Sequence, residues 1–324
     1  MKKAAILALL GGAVLSGAVE AQPQAYPNKP IRMVVPYAAG GAADITARVV
    51  GQKMAETLGV PVVVENRGGA NGNIGTDAVA KAAPDGYTLL LVASGPIVVN
   101  PSLYAKVPYD PIKDLAPVSQ ITTYQYALVV AKNSPIRNVQ DLIRMAKASP
   151  GKLSYGSTGI GGGGHLAGEL FGTMTGTQLT HVPYKGSAPA LADLLGGQLS
   201  FTFDTVVTTV PQIAGGKLRA FAVSGTRRAA GLPEVPTMSE IGYKGFDITQ
   251  FQGLMVPART DPAIIERLHQ AVVQALKSPD VIRRLVTEGG NELVGSSPAE
   301  FAKVIRSESA MYAKLIKDAN IKAD

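Results

Sequence analysis

From residue 31 onward the spacing of apolar positions switches between strand and helix periods. Ile31, Met33, Val34 and Val35 form a short apolar run of strand type, and Pro36 ends it because proline has no N–H for a ladder. Gly40 and Gly41 then open a helix in which Ile45 and Val49, and Val50, Met54 and Leu58, recur at four-residue spacing; Gly59 stands where a C-terminal glycine belongs. Val62-Val63-Val64 predicts a second buried strand, followed by a glycine-rich loop over 65–73. A helix over about 74–82, the turn Pro84-Asp85-Gly86 and a third strand from Thr88 to Ala93 complete a parallel, doubly wound unit. Ser94 follows that third strand and falls at the same sheet edge as the first turn.

Proline and polar turns from Pro101 to Pro117 mark the way out of this unit. A second series begins with a strand at Ala127–Ala131, a helix at 139–148, a strand at 153–155 and a helix at 164–174. It continues through 179–182, 188–195, 199–203 and 218–223. Beyond Arg228 come a proline-bearing loop, an extended segment over 251–256 and three helices. Their starts are signalled by Asp261-Pro262, Ser278-Pro279 and the capping box Ser297-Pro298-Ala299-Glu300. Helices with one short strand cannot form a sheet alone, so they are expected to return and cover the first unit. The expected architecture is therefore α/β with two lobes, 22–123 plus 228–324 and 124–227, each with a doubly wound sheet. Two crossover segments join them and a ligand cleft lies between.

Composition narrows the function classes. The chain has 324 residues, 46% hydrophobic and 17% charged, the balance of an ordinary globular protein. Lys2 and Lys3 precede an apolar run from Ala4 to Val14 and a small-residue cleavage pattern at Val19-Glu20-Ala21, so residues 1–21 read as a secretory signal peptide. That run is shorter than the ~20 residues a membrane span needs, and the mature protein is expected in the periplasm. Removing Lys2, Lys3 and Glu20 leaves a net charge of +6, scattered rather than striped, so no nucleic-acid partner is expected. With no cysteine there is no disulfide or thiolate chemistry, and His165, His181 and His269 are too dispersed for a metal motif.

The candidate chemistry lies in two turns. A strand that feeds a helix through bare glycines leaves the first N–H groups of the helix unpaired, and such a start attracts anions. Gly40-Gly41 is one such turn, and Ser157-Thr158-Gly159 within YGSTGIGGGGHL is its counterpart in the second lobe. Gly159, Gly161 and Gly164 also fit G-x-G-x-x-G, but Thr180-His181-Val182 stands where a dinucleotide fold needs an acidic residue, so no cofactor is expected. Ser157, His165 and Asp204 would supply an exported hydrolase with a nucleophile, base and acid, although no G-x-S-x-G elbow is present. Asp204 alone could accept a ligand amine or hydroxyl, or cap the following helix. Asp44 more naturally favours its own helix dipole. Val-Pro-Tyr recurs at 35–37, 107–109 and 182–184, which suggests that Tyr37 and Tyr184 face each other across the cleft.

The segments VVPYAAGGAAD, VENRGGANGNIG, YGSTGIGGGGHL, HVPYKG and GKLRAFAVSGTRR, with Pro84-Asp85-Gly86-Tyr87 and Glu234-Val235-Pro236-Thr237, resemble the Bug family. These are periplasmic solute-binding receptors of tripartite tricarboxylate transporters, and the resemblance runs along the whole mature chain. It implies a type II-like periplasmic binding protein and no catalysis. The implied ligand is a small mono- or dicarboxylate, aromatic and amino acids included, and the implied partners are membrane permease components, with a monomeric receptor. A receptor that feeds a signalling system instead of uptake fits the same residues. The implied ligand-binding residues are Tyr37, Ala38, Gly40, Gly41, Ser157, Thr158 and Gly159, with His165, Tyr184 and Asp204 beside them; Ser94 joins the candidates from its place at the same sheet edge. Ala38-Ala39, Ala43 and Gly163 depart from the family pattern, and two hydroxyls are missing near the expected carboxylate.

Overall fold

Strand β1 (Ile31–Val35) lies between β2 (Val62–Asn66) and β3 (Thr88–Ala93), parallel to both. A parallel strand covered on both faces reads as a continuous apolar run, and Ile31, Met33, Val34 and Val35 are all buried. The computed structural model describes residues 26–318 and 321; the expected signal peptide lies outside the described residues. Helix α1 (Ala42–Leu58) starts at Gly41 and stops at Gly59, whose φ of 74° is left-handed and whose N–H bonds the Ala55 carbonyl. Unlike the expected buried strand, β2 is the edge of the sheet, and its Val63 is 54% exposed. Helix α2 (Asn73–Ala80) follows one tight turn at Ala70–Gly72 in which Asn71 adopts a left-handed conformation. The chain after β3 forms a π-turn over Gly95–Val99 and the short helix α3 (Asn100–Leu103).

The largest departure from expectation is β4 (Leu115–Ala131), one strand of 17 residues of which only the last five were anticipated. Pro117 argues against a strand interior, yet the register shifts between Pro117 and Ser119 and again between Gln120 and Thr122. Bulges are where a sheet tolerates proline and bends. Up to Gln125 the strand pairs antiparallel with β9 (Thr249–Pro257). From Tyr126 it pairs with β7 (Phe201–Thr205) and β8 (Leu218–Val223). One strand thus belongs to both sheets.

The second sheet adds β5 (Ser154–Ser157) and β6 (Thr180–Pro183) beside β7. Its helices are α4 (Val139–Ala148), α5 (Gly163–Thr175), α6 (Ser187–Leu195) and α7 (Val206–Ala214). Neither sheet is purely parallel, because β9 enters the first sheet between β3 and β4 and β8 borders the second, both antiparallel to β4. The C-terminal helices begin with α8 (Pro262–Leu276), capped by Asp261 and packed against α1 and β4, then α9 (Pro279–Val281) running into a π-turn over Ile282–Thr287. A two-residue strand β10 (Glu292–Leu293) pairs with β4, and α10 (Pro298–Asp318) starts at the reciprocal Ser297–Glu300 box. Phe301 of α10 stands edge-on to Phe251 of β9 at 5.1 Å, which locks this helix onto the sheet.

Ser224 ties the two crossings together. Its buried hydroxyl accepts the Tyr126 N–H at 2.9 Å and donates to the Ile248 carbonyl at 2.6 Å. Beside it the Gly225 N–H donates to Gln125 Oε1 at 2.8 Å. The two sheets meet here around a few shared polar bonds.

Candidate ligand-binding site

Between the sheets lies a narrow, half-open cavity with about 30 Å³ of space for the centres of water-sized molecules. The first lobe lines it with Tyr37, Gly41, Ala42 and Ala43 from the β1–α1 turn, Ala93 from β3, Tyr124 from β4, and Gln250 and Gln252 from β9. The second contributes Thr158, Gly162 and Gly163 from the β5–α5 turn, Ser187 from α6 and Thr205 at the end of β7, while Tyr126 enters at the crossing. Among the described residues, none that lines this cavity carries a charge.

Helix starts dominate the wall. Helices α1, α5 and α6 begin at Gly41, Gly162 and Gly186, and none of these starts has a side-chain cap. A helix start without a cap presents unpaired N–H groups and the positive end of its dipole. Three of them converging on a cavity with no basic side chain make a site for an anion held by backbone donors. The start of α7 also lacks a side-chain cap, but a carboxylate stands beside it: Asp204 Oδ1 accepts the N–H of Thr205, the residue before the helix, at 2.6 Å and the Thr208 hydroxyl at 2.9 Å. Burial nevertheless raises the Asp204 pKa, and the hydroxyls of Ser187 and Thr208 with the Thr205 N–H partly offset this.

The turns are shaped by close approach. A Cβ on Gly163 would lie 2.2 Å from the Tyr126 hydroxyl, so only glycine allows α5 to start against that ring. Asp44 stands outside the cavity wall and braces the first turn, accepting the Gly40 N–H at 2.9 Å and Asn66 Nδ2 at 3.0 Å. Burial opposes its charge, but bonds from Arg48, Gly40 and Asn66 outweigh that and hold its pKa below the usual carboxylate range. The lobes are closed on each other: the Ala38 N–H donates to the Lys185 carbonyl at 3.0 Å, and the Tyr104 hydroxyl to the Ile160 carbonyl at 2.8 Å.

Of the residues read from sequence, Tyr37, Gly41 and Thr158 line the cavity. Ala38 and Gly40 shape its first turn through the bonds just described. Ser157 bonds the Gly159 N–H at 3.1 Å and His181 Nε2 at 2.6 Å, and Gly159 takes a φ of 127° against the Asn71 backbone. Ser94 is buried and accepts the Phe251 N–H at 2.9 Å. Tyr184 does not line the cavity opposite Tyr37; its hydroxyl donates to Asp193 at 2.6 Å, although the loops that carry the two tyrosines do touch. The hydrolase arrangement is not assembled. His165 Nδ1 accepts the Gly161 N–H at 3.1 Å, and the serine pairs instead with His181, whose pKa burial and then the neighbouring His165 lower to about 3.

Tyr124, Tyr126, Gln250 and Gln252 escaped the sequence reading, as did Ser187, Thr205, Ala42, Ala43, Ala93, Gly162 and Gly163. Gln250 and Gln252 carried a usable signal, polar groups at alternate positions before the apolar end of β9, and Tyr124 lies opposite Gln250 in register. The Tyr126 and Tyr124 hydroxyls both reach Gln250 Oε1, at 2.6 and 3.3 Å. Behind this wall Glu308 of α10 interacts with Ser94, and burial raises its pKa to about 7. Because the folded state then holds this proton more tightly than the unfolded one, stability is greatest below about pH 4.5. It is lost as pH rises towards 7 and is level above that. Thermal melts should fall by the equivalent of about 1–3 kcal/mol across this window, and Glu308→Gln should remove that slope.

The family model for the tripartite tricarboxylate transporter family receptor (TctC) matches residues 46–321. The protein BugT of Bordetella pertussis is 37% identical over 325 residues, covering 99% of both chains. Among solved structures, R. palustris Rpa4515 with adipate superposes with a TM-score of 0.88 at 36% identity, covering 92% of this chain and 99% of that one. MatC (Rpa3494) from Rhodopseudomonas palustris with bound malate gives a TM-score of 0.86 at 31% identity, covering 90% and 100%.

Proposed function

Since the chain belongs to the family of tripartite tricarboxylate transporter receptors, the Bug-type periplasmic solute-binding proteins, we propose how it holds and delivers its solute. The ligand is a small carboxylate whose oxygens accept N–H groups at the starts of α1, α5 and α6, with the Tyr37, Thr158 and Ser187 hydroxyls beside them. The convergence of three uncapped helix starts on one cavity with no charged lining carries this reading. Malate and adipate in the related structures are acids of this class. The segments 22–123 with 228–324 and 124–227 act as the two lobes, which turn about Ser224 and Gln125 to admit the ligand. A monomeric receptor, exported by its N-terminal segment, presents the closed complex to membrane permease components and performs no chemistry on it.

A thermal-shift panel of mono- and dicarboxylates tests this. A matching acid present at a hundred times its dissociation constant should add about 2.7 kcal/mol of stability. A flat response across the panel would count against the carboxylate reading.

A further inference from the structure

The protons of the cavity wall have a fixed direction. Tyr126 stands at the start of α5, where its hydroxyl oxygen fills the place that a Cβ on Gly163 would take, and both residues line the cavity. The direction of its hydrogen bond is set from the far side of the wall. The Tyr312 hydroxyl donates to the backbone carbonyl of Thr249 at 3.0 Å, and a carbonyl can only accept. Tyr312 in turn takes a side-chain bond from Gln250, which turns the amide N–H groups of Gln250 towards α10. Its Oε1 is left to receive the Tyr126 hydroxyl at 2.6 Å and the Tyr124 hydroxyl at 3.3 Å.

A hydroxyl has a single proton. Both tyrosines have given theirs to Gln250, and Ser187, a third hydroxyl of the lining, gives its own to Asp204. Any further bond to these three oxygens must be one that they accept. A bare carboxylate oxygen beside Tyr126 would meet lone pair against lone pair, whereas an O–H or N–H group would pair with it. The place of that donor follows from the same ring. The Tyr126 oxygen lies at one of the helix starts that hold the carboxylate, so the donor belongs on the carbon next to the carboxylate.

We infer that this receptor selects 2-substituted acids: the carboxylate sits on the starts of α1, α5 and α6, and a hydroxyl or ammonium group on the adjoining carbon donates to the Tyr126 oxygen. This rests on the carboxylate reading above and narrows it.

Titration calorimetry at pH 7 tests it on three skeletons: propionate, succinate and adipate, each beside its 2-hydroxy, 2-amino and 2-methoxy derivatives, with both enantiomers of every derivative. The methyl ether keeps the oxygen and lacks the proton. On the skeleton that binds most tightly, the better of the hydroxy and amino acids should exceed both the plain acid and the ether by at least about tenfold, because a site built to pair with a ligand donor leaves its own oxygen unpaired without one. The hydroxy acid in front assigns the donor as a hydroxyl, and the amino acid in front assigns it as an ammonium. A smaller margin overturns the inference while leaving the carboxylate reading intact, and heat from none of the acids overturns both. Tyr126→Phe keeps the ring and removes the oxygen, so it should bring the preferred acid to within about threefold of its plain parent; an unchanged margin overturns the assignment to Tyr126.

Discussion

Gly41→Asp should weaken carboxylate binding by at least about 100-fold, equivalent to roughly 2.7 kcal/mol, without destabilising the fold. Gly41 has φ −85° and ψ 173°, extended backbone open to any residue. A Cβ there would find its nearest neighbours at 3.6, 3.7 and 3.8 Å, ordinary contact distances. Aspartate is also a favoured residue at a helix start, worth from a few tenths to about 1 kcal/mol through its cap bond and the dipole. The same carboxylate would satisfy the N–H groups that the ligand needs. It would also stand within about 4 Å of the ligand's own charge, a repulsion of about 4 kcal/mol at an effective dielectric of ~20. Calorimetry and a urea melt on one preparation separate the two effects. Unchanged affinity would move the anion away from α1, and a marked loss of stability would show the turn to be tighter than the geometry indicates.

Gly164→Ala should do the reverse of what its position in a helix suggests. In the first turn of α5 a glycine-to-alanine change ordinarily gains about 0.8–1 kcal/mol. Here the new Cβ would lie 2.4 Å from the Phe203 carbonyl oxygen. That oxygen belongs to β7, whose Phe203 is paired with Leu128 in the middle of the second sheet, so it cannot swing aside as a side chain would. Overpacking of this kind costs about 1–3 kcal/mol, sometimes more, and it applies against backbone at a distance far below contact. A net loss of at least about 2 kcal/mol is expected in a denaturant melt. Gly51→Ala in α1 is the control. Its nearest neighbour is a Val62 methyl at 3.3 Å on the exposed edge strand, so it should stay within about 1 kcal/mol of the parent.

These two glycines show what was legible in the chain. Gly41 announced itself, because a strand, a glycine pair and a four-residue apolar repeat can hardly be read otherwise. Gly164 was visible only as one glycine in a run, since its reason for being there is the carbonyl of Phe203, far along the chain. The same division holds for the larger pieces. The β1–α1–β2–α2–β3 unit followed from apolar periodicity, but periodicity could not say that β2 is an edge, because Val62-Val63-Val64 has the same pattern whichever place in the sheet it takes. Pro117 hid most of β4, and with it the strand that joins the lobes, because proline tolerance depends on a bulge that the pairing with β9 creates.

At the cavity, the turns at the starts of α1 and α5 were legible in the sequence, though not every residue of them, and the start of α6 and the strand residues were not. A helix start carries its own local signature of glycines and an adjacent apolar repeat. Tyr124, Tyr126, Gln250 and Gln252 reach the cavity only because β9 crosses back into the first sheet from far along the chain, and that pairing has no local mark. Ser157 and His181 illustrate the converse hazard. The sequence offered His165 as the nearer partner, while parallel pairing of β5 and β6 sets Tyr155 beside His181 and brings that ring to the serine.

The most direct test of the carboxylate clamp is a crystal structure of the protein with the acid that gives the largest thermal shift. Both oxygens of one carboxylate should lie about 2.7–3.2 Å from N–H groups at the starts of α1, α5 and α6. The Ala38–Lys185 and Tyr104–Ile160 bonds should be intact across the closed cleft. A ligand whose carboxylate faces the Gln250 wall instead, or that binds outside the cavity between the sheets, would contradict this account.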